Sequence, residues 1–123
     1  MSDWVYLTAD QLIHETRPLG VGPVRDHGAL DACMASPAQS FDGDLYPDIS
    51  AKAAIVCFNI AKTYHPFVDG NKRAAAVAML LTCYLNSFVP MLTEAELVAV
   101  ILLVAQGEMT QEGLAAYLRL RMT

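Results

Sequence analysis

His65-Pro66-Phe67-Val68-Asp69-Gly70-Asn71-Lys72-Arg73 gathers an imidazole, a carboxylate, a glycine, an amide and two cations into nine consecutive residues. The segments on either side are apolar and alanine-rich, with spacings that predict helices. Such a density of polar groups stands out in a chain that is 54% hydrophobic, because polar groups in an apolar surround have to be paired or used. Pro66 predicts that the preceding helix stops before it, and the next helix is expected to begin near Gly70 or Asn71. The stretch is then a loop at a helix N-terminus, where unpaired N–H groups and partial positive charge favour an anion.

Each residue type suits a task at such a place. Gly70 lets backbone approach a ligand closely, and Asn71 can donate its amide. Lys72 and Arg73 add full positive charge, with the arginine fork matched to phosphate oxygens. Asp69, a carboxylate among cations, makes sense as a ligand to Mg²⁺. His65 is the group able to take a proton from a hydroxyl near neutral pH. Phe67, alternating with the polar residues, is expected to anchor the loop in the core. The phosphate-loop pattern Gly-x-x-x-x-Gly-Lys-Ser/Thr is absent, and no second His or Cys stands at zinc-ligand spacing. The same residues also fit ordinary loop hardware: a Gly-Asn helix start, an Asp–Arg ion pair and a capping histidine. The residues alone reach a phosphate-handling loop and no further.

Outward from the motif, the chain predicts an all-α bundle of about six helices. The helix leaving the motif runs through Ala74 to about Leu85; apolar nearly all round, it is expected to be the central, most buried one. The helix entering the motif spans about Ile49 to Tyr64, capped by Asp48 or Ser50, with Ile49, Ala53, Val56, Ile60 and Ala61 at helical spacing. Thr8-Ala9-Asp10-Gln11 predicts a capping box and a first helix to about Thr16, with His14 as an amphipathic or interfacial residue. Arg17 to Pro23 is loop. Asp26 predicts the cap of a second helix, Gly28 to about Ala35, ended by Ser36-Pro37. The Asp42-Gly43 pair predicts a small hairpin or flap within Ser40 to Pro47. Thr93-Glu94-Ala95-Glu96 is a second capping box, opening a helix to about Gln106, and Thr110 caps a last helix to about Arg121. Arg119 and Arg121 fall in its final turn, where cations suit the helix dipole, so no binding patch is expected from them.

The 123 residues predict one domain, 1–123, able to bury its own core. A net charge of −5 argues against a sequence-independent grip on nucleic acid. Charged residues make up only 17% of the chain and mean hydropathy is +0.34, so some apolar surface is expected to meet a partner. Cys33, Cys57 and Cys83 lack metal or redox spacing and read as buried free thiols in a reducing cytoplasm. The stretch from Met1 to Trp4 has neither a basic nor an apolar leader region. The longest apolar run, Leu97 to Ala105, is about half of a ~20-residue bilayer span. A cytosolic protein without a membrane segment is expected.

His65-Pro66-Phe67-Val68-Asp69-Gly70-Asn71-Lys72-Arg73 resembles the signature of the Fic/Doc superfamily, specifically its Doc (death-on-curing) branch. The resemblance continues through Tyr6-Leu7-Thr8, His14, Val24-Arg25-Asp26-His27-Gly28-Ala29-Leu30, Ser36-Pro37, Leu45-Tyr46-Pro47 and Lys52-Ala53-Ala54. It implies a helical Fic fold binding ATP and Mg²⁺ at the motif loop. By position, it implies that His65 is the general base, Asp69 the Mg²⁺ ligand, Gly70 and Asn71 the anion-binding turn, Arg73 the phosphate-binding arginine and Phe67 the loop anchor. Doc-type proteins are toxins of bacterial toxin–antitoxin pairs that phosphorylate a threonine of elongation factor Tu. A Phd-like antitoxin neutralises them by laying a C-terminal helix into a groove; exposed apolar surface around the first two helices and the 40–47 loop is the expected place.

Two departures from the wider superfamily bear on chemistry. AMP-transferring Fic enzymes carry Gly-Asn-Gly-Arg with a further arginine three residues on; here Lys72 and Ala76 occupy those positions. Lys72 adds bulk and charge where phosphates would lie in the AMP-transfer pose, and the resemblance to Doc implies the opposite nucleotide orientation, presenting the γ-phosphate. The inhibitory pattern Ser/Thr-x-x-x-Glu-Gly/Asn is absent: the glutamate followed by glycine is Glu112, and Glu108 stands four residues before it. A kinase-like toxin is the leading expectation, catalysing through His65, Asp69, Lys72 and Arg73. An AMP-transferase of the same fold, or a non-catalytic antitoxin-binding module, are the alternatives.

Overall fold

The computed structural model describes residues 3–123. Met1 and Ser2, part of the stretch read for a leader, lie outside the described residues. Six α-helices run in chain order: α1 Ala9–Thr16, α2 His27–Ala35, α3 Ile49–Phe58, α4 Asn71–Leu85, α5 Glu94–Ala105 and α6 Gln111–Arg119. Among the described residues no strand forms, only isolated bridges. The all-α expectation holds, and five helix starts follow their predicted caps. Thr8 and Thr93 form full capping boxes with Gln11 and Glu96, while the side chains of Asp26, Asp48 and Thr110 accept from the amides of Ala29, Ala51 and Gly113. Each such cap satisfies an amide that the helix itself leaves unpaired. The helix that leaves the motif, α4, starts without one.

The deepest burial lies in the helix before the motif, not in the one after it. Eight of the ten residues of α3 are buried, against six of the fifteen in α4. The reason is position: α3 packs most extensively on both α4 and α6, whereas α4 leaves Lys72, Arg73 and Tyr84 in solvent. Ala53 and Ala54 of α3 and Ala74, Ala75 and Ala78 of α4 are fully buried, and such small side chains permit close helix packing. The α3 periodicity predicts one helix to Tyr64, but α-helix ends at Phe58 and Asn59–Tyr64 is π-helical.

Lys52, in the middle of α3, is the one buried cation among the described residues. Its Nζ donates to Tyr6 Oη at 3.1 Å, to the Pro37 carbonyl at 2.8 Å and to Asp44 Oδ2 at 2.9 Å, and it lies 5.4 Å from the centroid of the Trp4 ring. All three ammonium protons are used, which is what burial of the charge requires. Through it the N-terminal strand-like entry, the turn after α2 and the 40–47 loop are tied to α3. That loop forms the predicted tight turn, with positive φ at Asp42 and Gly43 and a Ser40–Asp44 bridge.

Arg119 and Arg121 do more than face the dipole of α6. Arg119 donates two hydrogen bonds to Asp48, the cap of α3, at 2.8 and 3.2 Å, and Arg121 pairs with Glu96 at 3.3 Å. Exposed apolar surface lies on the 40–47 loop as expected, but not on the first two helices. No large apolar side chain of α1 or α2 is exposed, because Leu12, Leu30, Cys33 and Met34 all turn into the core. Phe41 and Leu45 in the 40–47 loop are exposed, and so are Val98, Leu102 and Leu103 on α5.

Candidate active site

The motif loop is held from one side by residues 22–26. Gly22 N–H donates to the Asp69 carbonyl at 2.9 Å, Val68 N–H to the Pro23 carbonyl at 2.9 Å, and the amides of Arg25 and Asp26 both reach the Pro66 carbonyl, at 2.8 and 3.2 Å. Val24 and Phe67 form an antiparallel bridge. Phe67 is buried in the core cluster as expected. Asn71 also braces the loop: its side-chain Nδ2 donates to the Phe67 carbonyl and its Oδ1 accepts from the Phe67 amide, both at 2.9 Å. One of its two side-chain N–H groups is therefore used inside the loop, and the other, with the backbone N–H, is what it has for a ligand.

Gly70 caps α4 with φ +84°, in the left-handed region, and no side chain accepts from the first turn. A Cβ at Gly70 would stand 3.1 Å from Cα of Val21, so both the conformation and the close approach call for glycine. The first-turn amides of α4 are thereby left open for an anion. Around them lies a cavity of about 420 Å³ lined by His65, Asp69, Gly70, Asn71, Lys72 and Arg73, with Ala61, Val68 and Ala105 completing it. All the residues singled out as a site from the sequence are thus brought to one cavity.

Their free valences differ. Lys72 is exposed. Arg73 donates through Nη1 to the Leu19 carbonyl at 2.7 Å, which fixes the guanidinium against the turn after α1 and leaves its other N–H groups. Asp69 Oδ1 accepts from the Gly70 amide at 2.9 Å; Oδ2 is open. Among the described residues no cluster of three or more His, Cys, Asp or Glu could hold a metal by itself. A single carboxylate is nevertheless the protein share that Mg²⁺ takes when phosphates and water supply the rest.

His65 sits at the end of the π-helical turn with φ +46°, a left-handed conformation in which histidine is among the better tolerated residues. Its Nε2 lies 2.8 Å from the Ala61 carbonyl. A carbonyl can only accept, so Nε2 carries the proton and, in the neutral ring, Nδ1 holds the free lone pair. The π register explains why that carbonyl is available: its i+5 partner is Pro66, which has no N–H. Periodicity in the sequence could not reveal this turn.

Two cations outside the sequence-based site brace the fold around it. Lys52 stood out as a lone cation within the apolar run Ile49 to Phe58, a signal for a buried, paired charge. Arg25 carried none beyond its place in the resemblance; its Nη2 donates to the carbonyls of Tyr64, at 3.3 Å, and His65. The three cysteines are buried free thiols, as expected, and burial pushes each up to about 12.

Comparison with known proteins agrees with this architecture. The Toxin Doc of Mycolicibacterium smegmatis is 42% identical over 64 residues, which are 51% of this chain and 48% of that protein; the aligned stretch thus spans about half the length of the curated relative. The family model described as Fic/DOC family matches residues 2–83, a span that contains the motif, the 22–26 brace, Lys52 and nearly all of α4. With two thirds of its length and the whole of its motif loop inside that match, the chain belongs to the Fic/DOC family.

Proposed function

We propose that this protein is a Doc-type toxin of a toxin–antitoxin pair, transferring the γ-phosphate of ATP to a threonine hydroxyl of a translation factor, elongation factor Tu being the leading target. The observation that carries the reading is the uncapped start of α4, which faces one cavity together with Lys72, Arg73 and a tautomer-fixed His65. The relative that bears the name Toxin Doc supports the toxin assignment. Phosphoryl transfer needs mainly positioning and charge neutralisation. The open amides of α4, Lys72 and Arg73 hold the phosphate oxygens. Asp69, whose Oδ2 is open, would hold Mg²⁺, and the ion would supply charge neutralisation to the phosphates. His65 Nδ1 accepts the proton of the threonine hydroxyl as its oxygen bonds to phosphorus and the leaving phosphate oxygen departs with ADP.

An antitoxin helix has a seat in the groove of about 430 Å³ between α4 and α5. Val77, Leu80, Leu97, Val98 and Leu102 line it together with the cations Lys72 and Arg73 and one carboxylate, Glu94. An amphipathic helix with an acidic end matches that surface. A helix seated there would stand beside the cavity and cover its cations.

The test is growth on induced expression in a bacterial host. Wild-type protein should arrest growth, His65→Ala should not, and Val98→Glu should still arrest but escape a Phd-like antitoxin co-expressed with it. Equal arrest by His65→Ala would refute the catalytic reading.

A further inference from the structure

Residues 66–69 are fixed by the backbone bonds from residues 22–26, but none of those bonds reaches His65. His65 is the residue that changes direction between the π-helical turn and the motif loop, and it does so in the left-handed region. A side chain in that conformation persists when its surroundings hold it there. The group at hand is the guanidinium of Arg25, whose Nη2 donates to the Tyr64 and His65 carbonyls together. These are terminal carbonyls of a helix, without helical partners and carrying partial negative charge, so bonds from a cation to them are of the stronger, charge-assisted kind.

We propose that Arg25 is a positioning residue for His65: by gripping the His65 carbonyl it keeps the ring Nε2 on the Ala61 carbonyl and leaves Nδ1 as the acceptor in the motif cavity. The functional part of this inference rests on His65 being the base; the positioning itself does not. Arg25 is exposed and is itself part of neither the cavity lining nor the core cluster, so its loss opens no cavity. The cap of α2 belongs to its neighbour Asp26 and survives the substitution. Lysine replaces the charge but not the fixed plane in which Nη2 aims its two N–H groups at the two carbonyls.

The experiment is nitrogen NMR of the histidine-labelled full chain, above the range in which imidazole titrates, for wild type, Arg25→Ala and Arg25→Lys. Wild type should show His65 as the Nε2–H tautomer alone, with Arg25→Ala giving a mixture and Arg25→Lys an intermediate one. Circular dichroism of the same samples should show unchanged helix content. An unchanged single tautomer in Arg25→Ala would overturn the proposal. Transfer kinetics separate this from the functional reading: kcat should fall about 10- to 100-fold in Arg25→Ala, as misplacement of a reacting group does, with KM for ATP unchanged. A lost tautomer with undiminished kcat would support the positioning and refute His65 as the base.

Discussion

Asn71 returns both ends of its side-chain amide to the backbone of Phe67, donating to the carbonyl and accepting from the N–H at 2.9 Å each. The first turn of α4 and the motif loop are locked together by this pair, and Phe67 is buried beneath them. Asn71→Ala removes both partners at once. A loss of about 1–3 kcal/mol is expected from the two partly buried bonds, read as a lower midpoint in denaturant. Asn71→Asp keeps the acceptor but sets a carboxylate against the Phe67 carbonyl, and should be no better than alanine.

Gly70 is constrained twice, by φ +84° and by Val21, whose Cα a Cβ would approach to 3.1 Å. Gly70→Ala should cost about 1–3 kcal/mol, the range for residues forced into sparsely populated backbone regions. Because the shift falls at the mouth of the anion site, nucleotide affinity measured by titration calorimetry should drop with it. Gly43 is the control: a Cβ there meets nothing within 4 Å, so Gly43→Ala should leave that affinity intact.

Lys72 offers the opposite case, an exposed cation lining the cavity. Lys72→Ala should leave stability within about 0.5 kcal/mol, as for surface changes generally. Transfer should nevertheless fall by about 10²–10³-fold, the loss typical of one charge-stabilising donor. Stability and rate measured on the same preparation check the pair of expectations.

Acid should loosen the fold through three carboxylates. The Lys52 ammonium beside Asp44 holds its carboxyl below the ordinary 3.8, and the Arg119 guanidinium does the same for Asp48. The Thr93 backbone amide, with Arg121 second, lowers Glu96 below 4.5. A pKa depressed by folding contributes stability above the unfolded value and loses it as pH falls through the folded value. Tm should therefore be flat with respect to these groups near neutrality and fall below about pH 4. Asp44→Asn should flatten part of that fall, since it removes one of the titrating partners.

Cys33, Cys57 and Cys83 should stay silent toward a thiol reagent at mildly alkaline pH in the folded protein, because burial holds their pKa near 12 and the thiolate is the reacting form. All three should react on denaturation.

The helices and their caps were legible because each start has a local chemical cause, as at Thr8, Asp26, Thr93 and Thr110. The site residues were legible because the motif is contiguous and one cavity collects it. What stayed hidden was non-local or a matter of register. Asn71 turns inward because the Phe67 backbone lies within reach, which no local pattern encodes. The π turn keeps apolar residues at i, i+3 and i+4, so the spacing still resembles plain helix. Burial passes to α3 because it lies between two helices, whereas composition favoured α4. Arg25 meets His65 across forty residues of chain.

The most direct measurement is the intact mass of purified elongation factor Tu after incubation with this protein, ATP and Mg²⁺, beside a His65→Ala control. A gain of one phosphate with the wild type, and none with the control, is the predicted result. A gain of one AMP, or a phosphate gain that persists in His65→Ala, would contradict the account of Lys72 and His65 on which the proposed chemistry stands.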